Sequence, residues 1–260
     1  MARKIVMTSG KGGVGKTTIT ANLGAALSRR GNNVVLIDAD IGLNNLDVVM
    51  GIENKVAYDI VDVIEGRCRL KQALIKDANH NGLYILPSAH FGSARMNGAE
   101  MKLIADNLSE TFDYILIDCP AGIDGGFHRA VCGASEALVV VTPNISSIRD
   151  ADKVITLLNT YGLNSIGVVI NRVRGDLILL GEMMSVSDIM RLLKMLPAGV
   201  IPEDDDISLY ACIGKTLEGG NGAGKAFAVF ADNIIHNKGK VYDCLSQYRG
   251  FRGRLKLRRR

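Results

Sequence analysis

Residues 9–18 read SGKGGVGKTT, and this stretch decides the fold. Gly10, Gly15, Lys16 and Thr17 match the pattern G-x-x-x-x-G-K-[ST], with strand-like RKIVMTS before it and helix-forming KTTITANLGAALSRR after it. Glycines let the backbone curl so that its N–H groups point at phosphate oxygens, and the following helix adds its positive dipole end. The lysine would neutralise the β- and γ-phosphates of a nucleotide, and the Thr17 hydroxyl is placed for Mg²⁺. A glycine-rich turn without a ligand is the alternative, and the flanking strand and helix argue against it.

Apolar strand-like runs alternate with helix-forming segments along the chain. The runs are almost continuous in Val, Ile and Leu, which is typical of strands covered on both faces. Strands are expected at residues 4–9, 33–38, 82–87, 113–118, 136–143, 165–171 and 198–202, and helices at 16–30, 98–110, 147–160, 181–195 and 222–247. This alternation predicts an α/β fold, a mostly parallel twisted sheet with helices on both faces. We expect one nucleotide-binding domain, residues 1–246, followed by a tail, residues 247–260.

Aspartates follow two of these runs at the sheet edge where such folds bind ligands. Asp38 and Asp40 stand in LIDADIG, and Asp118 stands in ILIDCPAG. Mg²⁺ takes one or two carboxylates and keeps several waters, so the pattern favours positioning of a metal and its water. Capping of the next turn is the alternative for any one of the three.

Composition and charge narrow the class of protein. Aromatic residues make up 5% of the chain and Trp is absent, which argues against a stacking platform for bases. Residues 247–260 carry seven basic side chains and no acidic one, and the remainder carries 24 basic against 27 acidic. The five cysteines form no C-x-x-C pair, which favours small buried thiols in a reducing compartment over metal ligation. The apolar runs are too short to span a bilayer and no signal peptide opens the chain, so we expect a cytoplasmic protein.

Five motifs occur in order along the chain: GKGGVGKTT, DADIGLNNLD, DCPAGID, INRVR and GVIPEDDDI. Together they resemble the deviant P-loop (deviant Walker A) ATPases of the MinD/ParA family, most closely its septum-site-determining branch, over residues 2–255. The resemblance implies an ATPase that dimerises around two ATP molecules, binds membrane in that state and is released when a partner stimulates hydrolysis. The partners that it implies are a MinC-like division inhibitor and a MinE-like or DivIVA-like activator or topological factor.

The resemblance also assigns roles at the phosphate end of the site. Lys16 and Thr17 would hold phosphate and Mg²⁺, with Asp118 as the carboxylate behind the metal's ligands. Asp40 would position the attacking water, with Asp38 supporting it. No histidine or glutamate base is evident, so hydrolysis would depend on positioning and charge neutralisation. The loop residues assigned to nucleotide binding are Gly10, Lys11, Gly12, Gly13, Val14, Gly15, Lys16, Thr17 and Thr18.

Further residues are assigned by the same resemblance. Gly122 would sense the γ-phosphate through its N–H group, and Asn171 would read the adenine edge. Pro202 and Glu203 would line the base pocket, and Asp152 would lie on the surface between subunits. From the residues alone, a strand-end turn is the preferred interpretation of Asn171, and a solvated helix face is the preferred interpretation of Asp152.

Lys11 is a second lysine in a loop whose pattern needs one. In the family that this chain resembles, a lysine at this position reaches across the dimer to the partner's phosphates, as an arginine finger does. The alternative is a solvent-facing loop lysine that gives local electrostatic help. On the first interpretation, Lys11 is both catalytic and part of the dimer interface.

The tail, continued as a helix, would carry an apolar stripe flanked by basic residues. The stripe would include Val241 and Leu245, and this is the pattern of an interfacial membrane helix. The residues predicted to meet the membrane are Tyr248, Phe251, Arg252, Leu255 and Lys256. Gly250 and Gly253 weaken the helix, so we expect the segment to be disordered in solution. Its few apolar residues predict a weak, charge-dominated anchor on an anionic membrane that needs two copies in a dimer, and a solvated basic tail is the alternative. Nucleic acid is a disfavoured rival, because phosphate binding needs no apolar stripe.

Two other function classes remain open. A ParA-like DNA-segregation ATPase or a regulator of flagellar number would share the same engine with different cargo. A metabolic enzyme of this fold is the other class. A small-molecule kinase would need a pocket for the phosphate acceptor. An electron-donating reductase would need two ligand cysteines, and Cys119 and Cys132 are not recognisably placed for that.

Overall fold

The structure is a computed structural model that describes residues 2–42, 45–89, 96–220 and 222–249. The strands in these ranges are β1 (Arg3–Thr8), β2 (Val34–Asp38), β3 (Ile75–Lys76), β4 (Leu83–Leu86), β5 (Tyr114–Asp118), β6 (Glu136–Val141), β7 (Ser165–Val173) and β8 (Pro197–Pro202). The helices are α1 (Lys16–Ser28), α2 (Asn45–Met50), α3 (Ile60–Ile64), α4 (Leu70–Ala73), α5 (Gly98–Leu108), α6 (Gly125–Cys132), α7 (Ile145–Leu158), α8 (Gly175–Leu179), α9 (Val186–Leu193), α10 (Asp205–Cys212) and α11 (Gly222–His236). Three short 3₁₀ segments lie at Glu53–Lys55, Asn159–Tyr161 and Ser246–Tyr248.

The strands form one sheet that is parallel except at one edge. Its order is β3-β4-β2-β5-β1-β6-β7-β8, and β3 runs antiparallel to β4. The predicted strands are all present, so the mostly parallel α/β fold is confirmed. The short strand β3 was not predicted, because two residues carry no readable periodicity.

Apolar clusters cover both faces of the sheet. Val6 and Ile117 belong to one cluster, whereas their chain neighbours Ile5 and Leu116 belong to the other. Successive strand residues point to opposite faces, so both sets must be apolar. This is why the runs are continuous in Val, Ile and Leu rather than alternating.

Helix α11 ends at His236, so the predicted helix to residue 247 is wrong, and Val241 and Leu245 do not continue it in the described residues. The helix ends at His236 because Asn237 takes a left-handed φ of +49°. The N–H of Gly239 then donates to the side-chain carbonyl of Asn233 at 2.7 Å. The chain turns back, and Val241 packs against the core instead of continuing the helix.

The C-terminal segment, residues 237–249, lies against α8. Gly175 provides the space, since a Cβ there would be 2.9 Å from the Tyr248 ring. Tyr248 itself is half-buried. The other residues predicted to meet the membrane, Phe251, Arg252, Leu255 and Lys256, lie outside the described residues. Among the described residues, no helix combines the length and the apolar character needed to cross a membrane.

All five cysteines are free thiols. Cys119 and Cys244 are buried as predicted, and burial raises the pKa of each thiol to about 12. Cys68 is half-buried. The prediction of burial is wrong for Cys132 and Cys212, which are exposed as the last residues of α6 and α10.

Candidate nucleotide site

The phosphate loop joins the carboxyl end of β1 to α1, which begins at Lys16. Gly15 takes φ +95°, and a Cβ there would lie 2.5 Å from Nδ2 of Asn171. Gly10 is as tightly placed, because its Cβ would lie 2.6 Å from the backbone of Asp150 in α7. Both glycines that the motif specifies are therefore required by packing, and the loop is fixed between β7 and α7.

Two buried carboxyl groups lie next to each other beside this loop. The strand register pairs Asp38 of β2 with Asp118 of β5, and their exposed fractions are 1% and 2%. Burial, and then the charge of Asp118, raises the pKa of Asp38 to about 8. Burial also raises the pKa of Asp118 to about 6, against the opposing effects of Thr17 and Lys16. Adjacent buried carboxylates favour a divalent cation, so the residues present fit Mg²⁺.

Asp40 lies at the edge of this pair. Its N–H donates to Oδ1 of Asp38 at 2.9 Å, and the N–H of Leu46 donates to Oδ2 at 3.3 Å. Partial burial raises the pKa of the Asp40 carboxyl, and the charge of Lys16 opposes this rise. The three predicted carboxylates are thus gathered at the lysine end of the phosphate loop.

Gly122 lies against the start of the same loop. It takes φ +87°, and its N–H donates to the carbonyl of Ser9 at 3.3 Å. The group predicted to sense the γ-phosphate is therefore bonded to the residue that precedes the first motif glycine.

The predicted base-binding residues fall into two groups. Asn171 is 5% exposed, and its Nδ2 donates to the Val14 carbonyl at 2.8 Å. Its Oδ1 has no hydrogen-bond partner among the described residues. Pro202 and Glu203 line a cavity of about 430 Å³ together with Tyr248, and Asn171 is not part of that lining. The structure brings Asn171 to the phosphate loop and places the other two beside the C-terminal segment.

The two residues predicted for the dimer interface both lie near α7. Lys11 is exposed, and its Nζ donates to Oγ of Ser146 in the first turn of α7 at 3.2 Å. Asp152 is exposed on the same helix, with its backbone carbonyl accepting from Thr156. Both side chains therefore lie on or beside α7, which covers the phosphate loop.

The chain is similar over most of its length to proteins of one known family. A model of the CobQ/CobB/MinD/ParA nucleotide binding domain (CbiA) matches residues 5–217. The septum site-determining protein MinD of Bacillus subtilis is 41% identical over 261 residues, covering 98% of this chain and 97% of that protein. The chain belongs to the MinD family.

Solved MinD structures share this fold over about nine tenths of the chain. The MinC:MinD cell division protein complex of Aquifex aeolicus matches with 42% identity and a TM-score of 0.84, covering 90% of this chain and 96% of that chain. MinD of Pyrococcus horikoshii, complexed with Mg-ADP, matches with 30% identity and a TM-score of 0.83, covering 92% and 98%. The predicted P-loop fold class is therefore confirmed.

Three residues of this MinD-family site were not predicted from the sequence. The Thr20 hydroxyl lies 3.2 Å from Oδ1 of Asp118, and the helical spacing between Thr17 and Thr20 would have indicated it. Ser146 and Asp150 contact the phosphate loop from α7, and no local pattern marks either of them.

Proposed function

We propose that this chain is a Mg²⁺-dependent ATPase that dimerises on ATP, binds membrane through its C-terminal tail and helps to place the division site. The observation that carries the proposal is the buried pair Asp38 and Asp118 beside Lys16, at the edge of a loop whose two motif glycines leave no room for a side chain. Such a pair suits Mg²⁺ with a nucleotide, and Mg-ADP is what the Pyrococcus MinD structure holds.

Phosphate and metal would be held at the start of α1. Lys16 would neutralise the β- and γ-phosphates, and the loop N–H groups and the helix dipole would add to this. Thr17 would ligate the metal, with Asp118 and Asp38 behind it. Bound Mg²⁺ would supply charge neutralisation on the phosphates during transfer.

The reaction would be hydrolysis of the β–γ bond by water. Asp40 would orient that water, and this role is supported by the hydrogen bond from its N–H to Asp38 and by the nearby charge of Lys16. The Gly122 N–H would leave the Ser9 carbonyl and donate to the γ-phosphate instead. Its present hydrogen bond is long, at 3.3 Å, and therefore weak enough to be replaced. No general base is needed where positioning and charge dominate.

Adenine specificity is assigned to Asn171, whose free Oδ1 would accept from the exocyclic amino group. Pro202 and Glu203 would close the base pocket from the side of the C-terminal segment. ATP, rather than another nucleotide, is therefore the proposed substrate.

Lys11 would complete a second copy's site in the dimer. It lies exposed at the α7 surface, bonded to a neutral hydroxyl that it can leave at little cost. Charge delivered across the interface would stabilise the transition state, and Asp152 would lie at the same interface.

The proposed protein partners rest on the MinD family, and the proposed location rests on the charge of the tail. The Aquifex complex pairs MinD with MinC, and we propose a MinC-like division inhibitor here, with a MinE-like or DivIVA-like activator or topological factor. The seven basic residues of 247–260 would attract an anionic membrane at about 1 kcal/mol each near the surface. The protein would be cytoplasmic and peripheral on the inner face of the cell membrane, and nucleic acid is not a proposed partner.

Lys11→Ala tests the proposal, with Lys102→Ala on α5 as a matched control at another exposed lysine. We expect Lys11→Ala to bind ATP normally but to lose ATP-dependent dimerisation and liposome-stimulated hydrolysis, measured by light scattering and phosphate release. A chain stopped after Gln247 should dimerise but not pellet with anionic vesicles. Wild-type-like stimulated ATPase in Lys11→Ala would refute the interface role, and ATP-dependent pelleting with DNA instead of vesicles would favour a ParA-like function.

A further inference from the structure

A second cavity lies at the opposite end of α1 from the phosphate loop. Its volume is about 660 Å³, within the range of roughly 300–1,000 Å³ that small-ligand sites occupy. The thirteen residues of α1 separate it from the nucleotide site by about 20 Å. The lining residues that bear on its chemistry are Arg29, His80, Lys215, Thr216 and Glu218.

Asp77 fixes the proton on His80. Its Oδ2 accepts from the backbone N–H groups of Asn79 and His80 at 2.9 and 2.7 Å, and it lies 2.8 Å from Nδ1 of His80. Burial alone would raise the pKa of Asp77, but hydrogen bonds from His80 and Asn79 hold it below its ordinary value. A charged carboxylate only accepts, so Nδ1 of His80 is the donor and Nε2 is left as an acceptor.

His80 in turn orients Arg29. The Arg29 Nη1 group donates to Nε2 of His80 at 3.0 Å, which uses one of its five N–H donors. Partial burial, and then the charge of Arg30, lowers the pKa of Arg29, with Glu218 opposing. In the described part of the chain no carboxylate lies within ion-pair distance of the Arg29 guanidinium. Its charge is held in place without a direct ion pair among these residues, and Glu218 offsets it only from a distance.

The Arg29 guanidinium is not needed to cap α1. The last carbonyls of the helix already accept hydrogen bonds from other donors. These pairs are Ala25 with the Arg29 N–H, Ala26 with the Arg30 side chain, Leu27 with the Arg30 N–H and the Asn32 side chain, and Ser28 with the Gly31 N–H. The remaining donors of the guanidinium are therefore available to a ligand.

Thr216 and Lys215 add donors of different kinds. Thr216 is 5% exposed, and its hydroxyl lies 3.3 Å from Nε2 of His80. One ring lone pair cannot satisfy both this hydroxyl and Arg29, so the hydroxyl proton can serve a ligand. Lys215 is exposed. The lining residues described thus include two positive side chains, Lys215 and Arg29, against one carboxylate, Glu218.

We propose that this cavity binds a small anion of the phosphate class, held by Arg29 and Lys215 with the Thr216 hydroxyl as a third donor. A tetrahedral oxyanion offers several acceptor oxygens, which suit a guanidinium fork, an ammonium point charge and a hydroxyl together. The Asp77–His80 pair holds Arg29 ready, so binding orders few side chains.

The test uses the full chain saturated with Mg-ADP, so that the phosphate loop is filled. Inorganic phosphate and glycerol phosphate are titrated separately by calorimetry at constant ionic strength, which distinguishes a free anion from a phosphorylated small molecule. We expect binding with a dissociation constant near or below about 10 mM. Arg29→Gln should weaken it about tenfold or more, as for loss of a charged hydrogen bond, and Lys215→Gln should weaken it severalfold.

Lys102→Gln is the matched control, since it removes one exposed positive charge elsewhere and should leave binding unchanged. Circular dichroism checks the fold of each variant, and the exposed Lys215 keeps the test decisive if Arg29→Gln folds poorly. Equal affinity in wild type, Arg29→Gln and Lys215→Gln, or no binding of either anion to the wild type, would overturn the proposal.

Discussion

Asp38→Asn is expected to stabilise the metal-free, nucleotide-free protein at high pH. In the wild type, Asp38 is almost fully buried beside Asp118, and this environment disfavours its charged form. Asparagine has nearly the same shape but carries no charge. It loses one acceptor, since the N–H groups of Asp40 and Leu46 each bond to a different oxygen of Asp38, and this cost does not depend on pH.

The pH dependence gives the magnitude. Well below pH 3.8 the carboxyl is protonated in both states and contributes no pH dependence to the free energy of unfolding. As the pH rises to about 8, the unfolded chain has released this proton and the folded chain keeps it, so stability falls. At about 1.36 kcal/mol per pH unit, the wild type loses roughly 4 kcal/mol between pH 5 and pH 8 that the variant does not lose.

Urea unfolding followed by circular dichroism in EDTA, without nucleotide, measures this difference. The free energy of unfolding of Asp38→Asn minus that of the wild type should rise by about 4 kcal/mol from pH 5 to pH 8, whatever its value at pH 5. Asp205→Asn, at an exposed carboxylate on α10, should show no such rise. A difference that stays constant with pH within about 1 kcal/mol would refute the assignment of a destabilising buried charge.

Two further predictions concern packing and thiols. Gly10→Ala should cost about 1–3 kcal/mol of stability through overpacking against Asp150. Gly12→Ala is the control and should cost less, because a Cβ there would meet one atom at 3.8 Å. Equal urea midpoints for the two variants would contradict this prediction. A thiol reagent should label Cys132 and Cys212 rapidly in the native protein, and the buried cysteines of high pKa only after unfolding; rapid labelling of more than the exposed and half-buried thiols would show that the core opens readily.

The sheet was predictable because its strands are covered on both faces and therefore read as continuous apolar runs. The end of α11 was not predictable in the same way. The apolar spacing through Val241 suits a helix, but the left-handed conformation of Asn237 ends the helix before that residue. The backbone conformation of one residue decides whether the helix continues or the chain turns. The free-energy difference between these alternatives is too small to be predicted from composition.

The phosphate end of the site was predictable for a topological reason. Parallel strands end at one edge, so an aspartate closing β2 and another closing β5 had to meet there. The contact of Lys11 with Ser146 was not, because the two residues are 135 positions apart and neither belongs to a pattern that names the other. The same holds for Gly10 and Asp150, whose proximity depends on how α7 packs.

The path of the described chain has a practical consequence for labelling. Arg3 starts β1 at the amino edge of the sheet, whereas Tyr248 lies against Gly175, just past the carboxyl end of β7. A fluorophore fused ahead of Arg3 would sit about 20 Å from the phosphate loop, the length of one strand. It would therefore report on assembly without disturbing nucleotide exchange. A fluorophore beside Tyr248 would lie at the cavity lined by Pro202 and would perturb the region proposed to bind the base.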